Sequence, residues 1–242
     1  MYAYKEAKQR EYLSQVEACY DALHPAQEKG TEAFSWRSDL ANPFMNVIMH
    51  LIAKDVEKKV DALLTQFPPQ LPLSFWVHHL NRAPDLVKVL EAKGFQLAGK
   101  CPLMTWDVRA IELPAKKVER VTNFETFCDI SAHSFHFDDA LKREFGKFMQ
   151  RISSENYLVY LAGQAVGVGS LCVHQKVGLV FNVGTLPEHQ KKGCASALMQ
   201  FLMRRAKELG LEHLLLISSP AAEKMYNQLG FEKKLDIEIY AR

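Results

Sequence analysis

No run of apolar residues in this chain approaches the roughly 18 that a bilayer-spanning helix needs, so a helical membrane protein is excluded. Charge of one sign is not in excess either. The 30 lysines and arginines are matched by 28 aspartates and glutamates, for a formal net charge of +2. That balance makes no electrostatic case for a nucleic-acid partner. Cysteine is sparse and unpatterned: Cys19, Cys101, Cys128, Cys172 and Cys194 are odd in number, widely spread and without a C-x-x-C pair. Reduced thiols in a cytoplasmic protein are therefore expected, not a disulfide framework. The opening stretch, MYAYKEAKQREYLSQVEACYDAL, is charged and helix-like, unlike a secretory signal. What remains is a chain of 242 residues, 48% hydrophobic and 24% charged, able to bury a substantial core.

Apolar periodicities of helical spacing alternate with strand-like runs throughout, which predicts a mixed α/β fold. A weak internal repeat organises it. APDLVKVLEAKGFQ and SPAAEKMYNQLGFE align so that Pro84 matches Pro220, Gly94 matches Gly230 and Phe95 matches Phe231 at one offset, which also sets Asn46-Val47 on Asn182-Val183. Two copies of one α/β unit are expected, residues 1–114 and 115–242, with the boundary near VRAIELPAKK.

In the second copy, NYLVYLAG, AVGVGSLCVHQ and GLVFNVGT read as successive antiparallel strands. A helix from about Gly193 to Leu209 follows, with Ala195, Leu198, Met199, Leu202, Ala206 and Leu209 on one face. Gly210 would end it, and LEHLLLI is then a buried strand. A last short helix would take Ser219 as N-cap and Pro220 as its first residue.

Between the third strand and the long helix lies LPEHQKKGCASALM, in which Gln190, Gly193 and Ala195 form a Q-x-x-G-x-A pattern. The first turn of a helix has N–H groups without intrahelical partners and a partial positive charge, which suits an anion. Glycine at 193 lets a phosphate approach the backbone. Small Cys194, Ala195 and Ser196 keep the mouth open, and Lys191 and Lys192 charge the rim.

The order strand, QKKGCA, helix, strand, then SPAAEKMYNQLGF resembles the GNAT acyltransferase superfamily over roughly residues 118–242. The resemblance implies two tandem GNAT-like domains, each a mostly antiparallel mixed sheet flanked by helices. It implies that the Q-x-x-G-x-A loop binds the pyrophosphate of acetyl-CoA, with Ser219 at the start of the last helix also near the cofactor. It places backbone N–H groups of Val183, Gly184 and Thr185 near the acetyl and pantetheine groups, one of them as an oxyanion hole. Tyr226, before the final L-G-F turn, is the implied general acid for the departing thiolate. At the repeat offset Gly193 falls on Glu57, Ala195 on Lys59 and Tyr226 on Leu90, so the first copy is expected to be degenerate and without a cofactor site.

The expected activity is transfer of an acetyl group to a primary amine by direct attack, the acceptor being a small molecule or a protein. The alternative is an acyl-CoA-binding sensor without turnover. The segment HSFHFDD offers His136, Phe137 and Asp138 as acceptor-lining residues, and its His133 and His136 lack the further ligands of a metal site. Trp76 and Trp106 are expected to fill the first copy's core. With two copies in one chain, a monomer suffices.

Overall fold

The structure, a computed structural model, describes residues 2–108 and 117–242. The described residues divide into two compact units, Met1–Leu103 with Lys234–Arg242, and Met104–Lys233. The expected boundary after residue 114 lies outside the described residues. The division found here falls earlier, and it gives the last strand to the first unit, which a cut in sequence does not foresee.

The first unit begins with α1 (Tyr2–Leu23) and continues through β1 (Glu28–Lys29), β2 (Ala33–Arg37), β3 (Asn46–Leu51), α2 (Val56–Leu64), β4 (Ser74–Val77), α3 (Leu86–Ala92) and the start of β5 (Gln96–Asp107). Its sheet is completed by the chain's last strand, β11 (Glu232–Ala241), which pairs antiparallel with β4. The β2–β3 pair is antiparallel and the β3–β4 pair parallel. Val60, Leu63, Phe75, Leu90 and Phe95 build the core beneath α2 and α3.

The second unit takes the end of β5, then β6 (Lys117–Arg120), α4 (Phe124–Phe135), α5 (Asp139–Arg151), β7 (Glu155–Leu161), β8 (Gln164–His174), β9 (Val177–Thr185), α6 (Cys194–Glu208), β10 (His213–Ile217) and α7 (Glu223–Gln228). Strands β6 to β9 form an antiparallel meander, and β9 pairs parallel with β10 across the α6 crossover. This is the mixed α/β architecture that the periodicities predict. The face α6 buries differs from the predicted stripe, for Cys194, Ala197 and Met203 are buried with Leu198, Met199, Leu202 and Ala206, whereas Ala195 is half-buried. Leu209 is exposed, since the helix ends one residue before it. Trp106 belongs to this unit's core, tilted against Phe231 at 6.5 Å, and not to the first unit's as expected.

The sequence repeat has a local structural counterpart. Gly94 and Gly230 both take left-handed backbone, φ 85° and 88°, which a residue with a Cβ adopts only with strain. After them Phe95 N–H donates to Leu90 O and Phe231 N–H to Tyr226 O, each at 3.0 Å. Before them Leu86 N–H donates to Ala83 O and Ala222 N–H to Ser219 O. Tyr226 and Leu90 therefore occupy the same place in the same turn–helix–turn element. The asparagine match fails, however. Asn46 opens β3 in extended backbone, whereas Asn182 lies inside β9 with φ 53°. Ser219 does not cap α7 either, because a turn over Ser219–Ala222 intervenes and α7 carries no side-chain cap.

Candidate functional site

Helix α6 is held in place before any ligand is considered. Its buried face packs in the second unit's core. Its outer side is tied to β7 by Arg205, whose Nε and Nη2 donate to Glu155 at 3.0 and 2.8 Å. The guanidinium beside it, in first place, holds the Glu155 carboxyl below its ordinary range, and the Tyr157 hydroxyl donates to the same carboxylate. This link lies near the C-terminal end of α6 and ties the helix to the sheet.

The start of α6 is open. Gly193 is the N-cap with left-handed backbone, φ 75°, and no side chain accepts from the first-turn N–H groups. Lys191 is also left-handed, φ 58°. The Gln190 Nε2 donates to Thr185 O at 3.4 Å, tying the loop to the end of β9. Gln190, Lys191, Lys192 and Gly193 are exposed, and Ala195 and Ser196 half-buried. Cys194 departs from expectation: its side chain is buried in the core, 2% exposed, so only its backbone faces the loop. A helix whose first N–H groups lack partners, reached through glycine and flanked by two lysines, can receive a phosphate.

Strand β9 approaches the same end. Its pairing with β10 covers Val177 to Leu179 against His213 to Leu215. Beyond it, Phe181 lies opposite Ser170 and Gly184 opposite Val168, so β9 carries one residue more than β8 over this stretch. That is a β-bulge, a device that re-aims a strand. Asn182 supplies its left-handed residue, a conformation asparagine tolerates better than most. The Asn182 Nδ2 donates to Ser131 Oγ on α4 at 3.1 Å, and Ser131 is fully buried. Val183 and Thr185 are half-buried and Gly184 buried. The bulge was missed in sequence, yet one polar asparagine within the apolar run GLVFNVGT was its signal.

Tyr226 is 6% exposed and stands edge-on to Phe231 at 5.7 Å. Burial pushes its phenol up to about 12, so the group keeps its proton at neutral pH. Ser219 is exposed at the end of the strand that precedes α7. Helix α4 ends with His136 in left-handed backbone, φ 57°. Asp138 caps α5, its carboxylate accepting from Leu141 N–H at 2.7 Å. Phe137 packs between Phe135 and Phe145, at 5.9 and 5.3 Å. No group of three or more His, Cys, Asp or Glu side chains placed to hold a metal occurs among the described residues. No helix among them is long and apolar enough to cross a membrane.

Residues 118–231 match a family model described as Acetyltransferase (GNAT) family. This stretch is a GNAT acetyltransferase domain. The family is one of acyl transfer, and the described bulge, loop and α6 all lie inside the GNAT domain. Solved structures extend the likeness to most of the chain. A GCN5-related N-acetyltransferase from Kribbella flavida is 17% identical, with a TM-score of 0.67, over 96% of this chain and 94% of its own. A conserved protein of unknown function from Staphylococcus epidermidis is 17% identical, with a TM-score of 0.69, over 90% and 93%. A GCN5-related N-acetyltransferase from Sphaerobacter thermophilus is 12% identical, with a TM-score of 0.61, over 87% and 75%. At such identities the likeness is one of fold. A sequence comparison with curated proteins finds no match.

Proposed function

We propose that this protein is an N-acetyltransferase that takes its acetyl group from acetyl-CoA at the GNAT domain and passes it to a primary amine. The observation that carries this reading is the uncapped start of α6 behind left-handed Gly193, beside the bulged end of β9, which has parted from β10 while it stays paired with β8. An orphaned row of helix N–H groups suits a pyrophosphate. The Cys194, Ala195 and Ser196 amides would hold it, with Lys191 and Lys192 at the rim and Gln190 fastening the loop. The backbone of Val183, Gly184 and Thr185, past the end of the β9–β10 pairing, would hold the pantetheine and acyl portions through the N–H groups on the edge that β10 has left, with Ser219 at the mouth in this reading.

Bound acetyl-CoA supplies an acyl carbon activated as a thioester. In direct attack the neutral amine nitrogen forms the C–N bond as the C–S bond breaks, and the proton lost by nitrogen ends on the thiol. A β9 N–H aimed at the thioester oxygen stabilises the charge that develops there. Tyr226, protonated and buried, would donate a hydrogen bond to the departing sulfur. With its phenol raised to about 12 it stabilises the thiolate by that bond more than by giving up its proton.

The first unit, in this reading, is a degenerate copy. Its α2 begins at Asp55, whose carboxylate accepts from Lys58 N–H at 3.1 Å, with Glu57 in the first turn. Helix start on helix start, Gly193 corresponds to Asp55 and not to the expected Glu57. A carboxylate still occupies the anion's place.

Titration calorimetry with acetyl-CoA tests the reading. Binding at one site per chain is expected. Gly193→Glu should weaken it roughly a hundredfold or more, since a like charge in an anion site costs several kcal/mol. Absence of binding by the native protein, or an unaltered affinity in Gly193→Glu, would sink it. Binding with no turnover across a range of amines would point to an acyl-CoA sensor.

A further inference from the structure

The end of α4 sits directly on β9. Gly184 has no side chain where one would not fit: a Cβ there would lie 2.7 Å from Ser134 Cβ and 3.2 Å from Phe135 Cε2. Gly184 follows the bulge, on the part of β9 that has left β10. Phe135 therefore stands beside the strand segment assigned above to the acyl group.

Phe135 is also 39% exposed. It is not a loose ring. It stacks on Phe137 with an interplanar angle of 29°, Phe137 meets Phe145 edge-on, and Phe145 stacks on Phe127 with an angle of 12°. Phe145 and Phe127 are 2% and 0% exposed. The open ring is thus the outer end of an aromatic row anchored in the interior. Of the polar groups around it, the Ser134 hydroxyl is buried against Gly184 without a hydrogen-bond partner among the described residues, and three others are engaged. Asp138 caps α5, the His133 Nδ1 pairs with its own helix at Asp129 O, and the Asp129 carboxylate is held by Lys142 at 2.8 Å.

We infer that the amine acceptor carries an aromatic or bulky apolar group, which packs on Phe135 while the nitrogen faces β9. The inference rests on the acetyltransferase reading and names the acceptor class for that same site. A pre-ordered ring loses little freedom on binding, and an apolar surface rejects a charged or strongly hydrated substituent by leaving it without partners. Acetyl transfer to such an acceptor gives the N-acetyl arylalkylamine and CoA, the amine proton ending on the thiol.

The test compares 2-phenylethylamine with ethylamine, which differ by the ring, as acceptors for the full chain with acetyl-CoA. The expected kcat/KM ratio is about tenfold or more in favour of 2-phenylethylamine, the scale of one aromatic contact with its buried area. Phe135→Ala should erase the ratio and Phe135→Tyr should keep it. Acetyl-CoA affinity, followed by calorimetry, should not change in either variant, which reports an intact cofactor site. Equal kcat/KM for the two amines, or a preference that survives Phe135→Ala, overturns the inference. So does acetyl-CoA binding without turnover of 2-phenylethylamine and without its binding to the acetyl-CoA complex. Failure to bind acetyl-CoA is a different result and overturns the acetyltransferase reading itself.

Discussion

Helix α2 in the first unit and helix α6 in the second each follow a strand and lead into its parallel neighbour, yet their first turns differ in kind. Helix α2 is closed by Asp55, whose carboxylate takes the Lys58 N–H. Helix α6 is left open by Gly193. A capping side chain and a bound anion compete for the same N–H groups, so a helix that stabilises itself with a carboxylate has given up its anion site. The cap separates a structural helix from a candidate binding helix, and the backbone there differs too, φ −95° at Asp55 against 75° at Gly193.

Tyr226 and Leu90 carry the same contrast into the chemistry, and the largest expected effect lies there. Tyr226→Phe should lower turnover by about a hundredfold with acetyl-CoA affinity unchanged, the range of a lost proton-donating group. Steady-state kinetics beside calorimetry measures this, and an unchanged kcat removes Tyr226 from the mechanism. A donor works only while protonated, so its contribution is complete below its pKa and lost as pH rises through it. With the phenol raised to about 12, a fall in kcat below pH 10 would have to come from another group.

Next in size is the cap itself. Asp55→Ala should destabilise the protein by about 1 kcal/mol, read as a lower urea midpoint. It should add no second acetyl-CoA site, because Glu57 remains in the first turn. A second site in that variant would show that the first unit is closed by its cap alone.

The smallest contrast is between Gly94 and Gly230. A Cβ at Gly94 meets no heavy atom within 4 Å, and one at Gly230 meets only Trp106 at ordinary distance. Backbone strain is then the whole cost, so Gly94→Ala and Gly230→Ala should each destabilise by about 1 kcal/mol. A clear inequality would mean that the two turns are not equivalent.

These comparisons also show what was legible beforehand. The turn–helix–turn element could be read twice from Pro84, Gly94 and Phe95 and from Pro220, Gly230 and Phe231, because left-handed backbone and helix stops impose residue types locally. The loop before α6 was legible for the same reason. Asn46 and Asn182 matched in sequence and parted in structure, since an asparagine opens a strand in one setting and supports a bulge in the other. The Glu57 alignment slipped because α2 is entered by a loop of different length, which no ungapped offset detects.

Sequence alone determined the mixed α/β class, the repeat, the open glycine turn before α6 and the placing of Tyr226 on the last helix. Each depends on periodicity or on backbone conformations that few residue types tolerate. Tertiary structure alone decided that the last strand completes the first unit's sheet, that Trp106 packs in the second, that Asn182 reaches Ser131 and that Phe135 lies against Gly184. Those outcomes join residues far apart in the chain. They follow from strand pairing and the fit of one packed surface to another, neither of which is encoded in any local stretch.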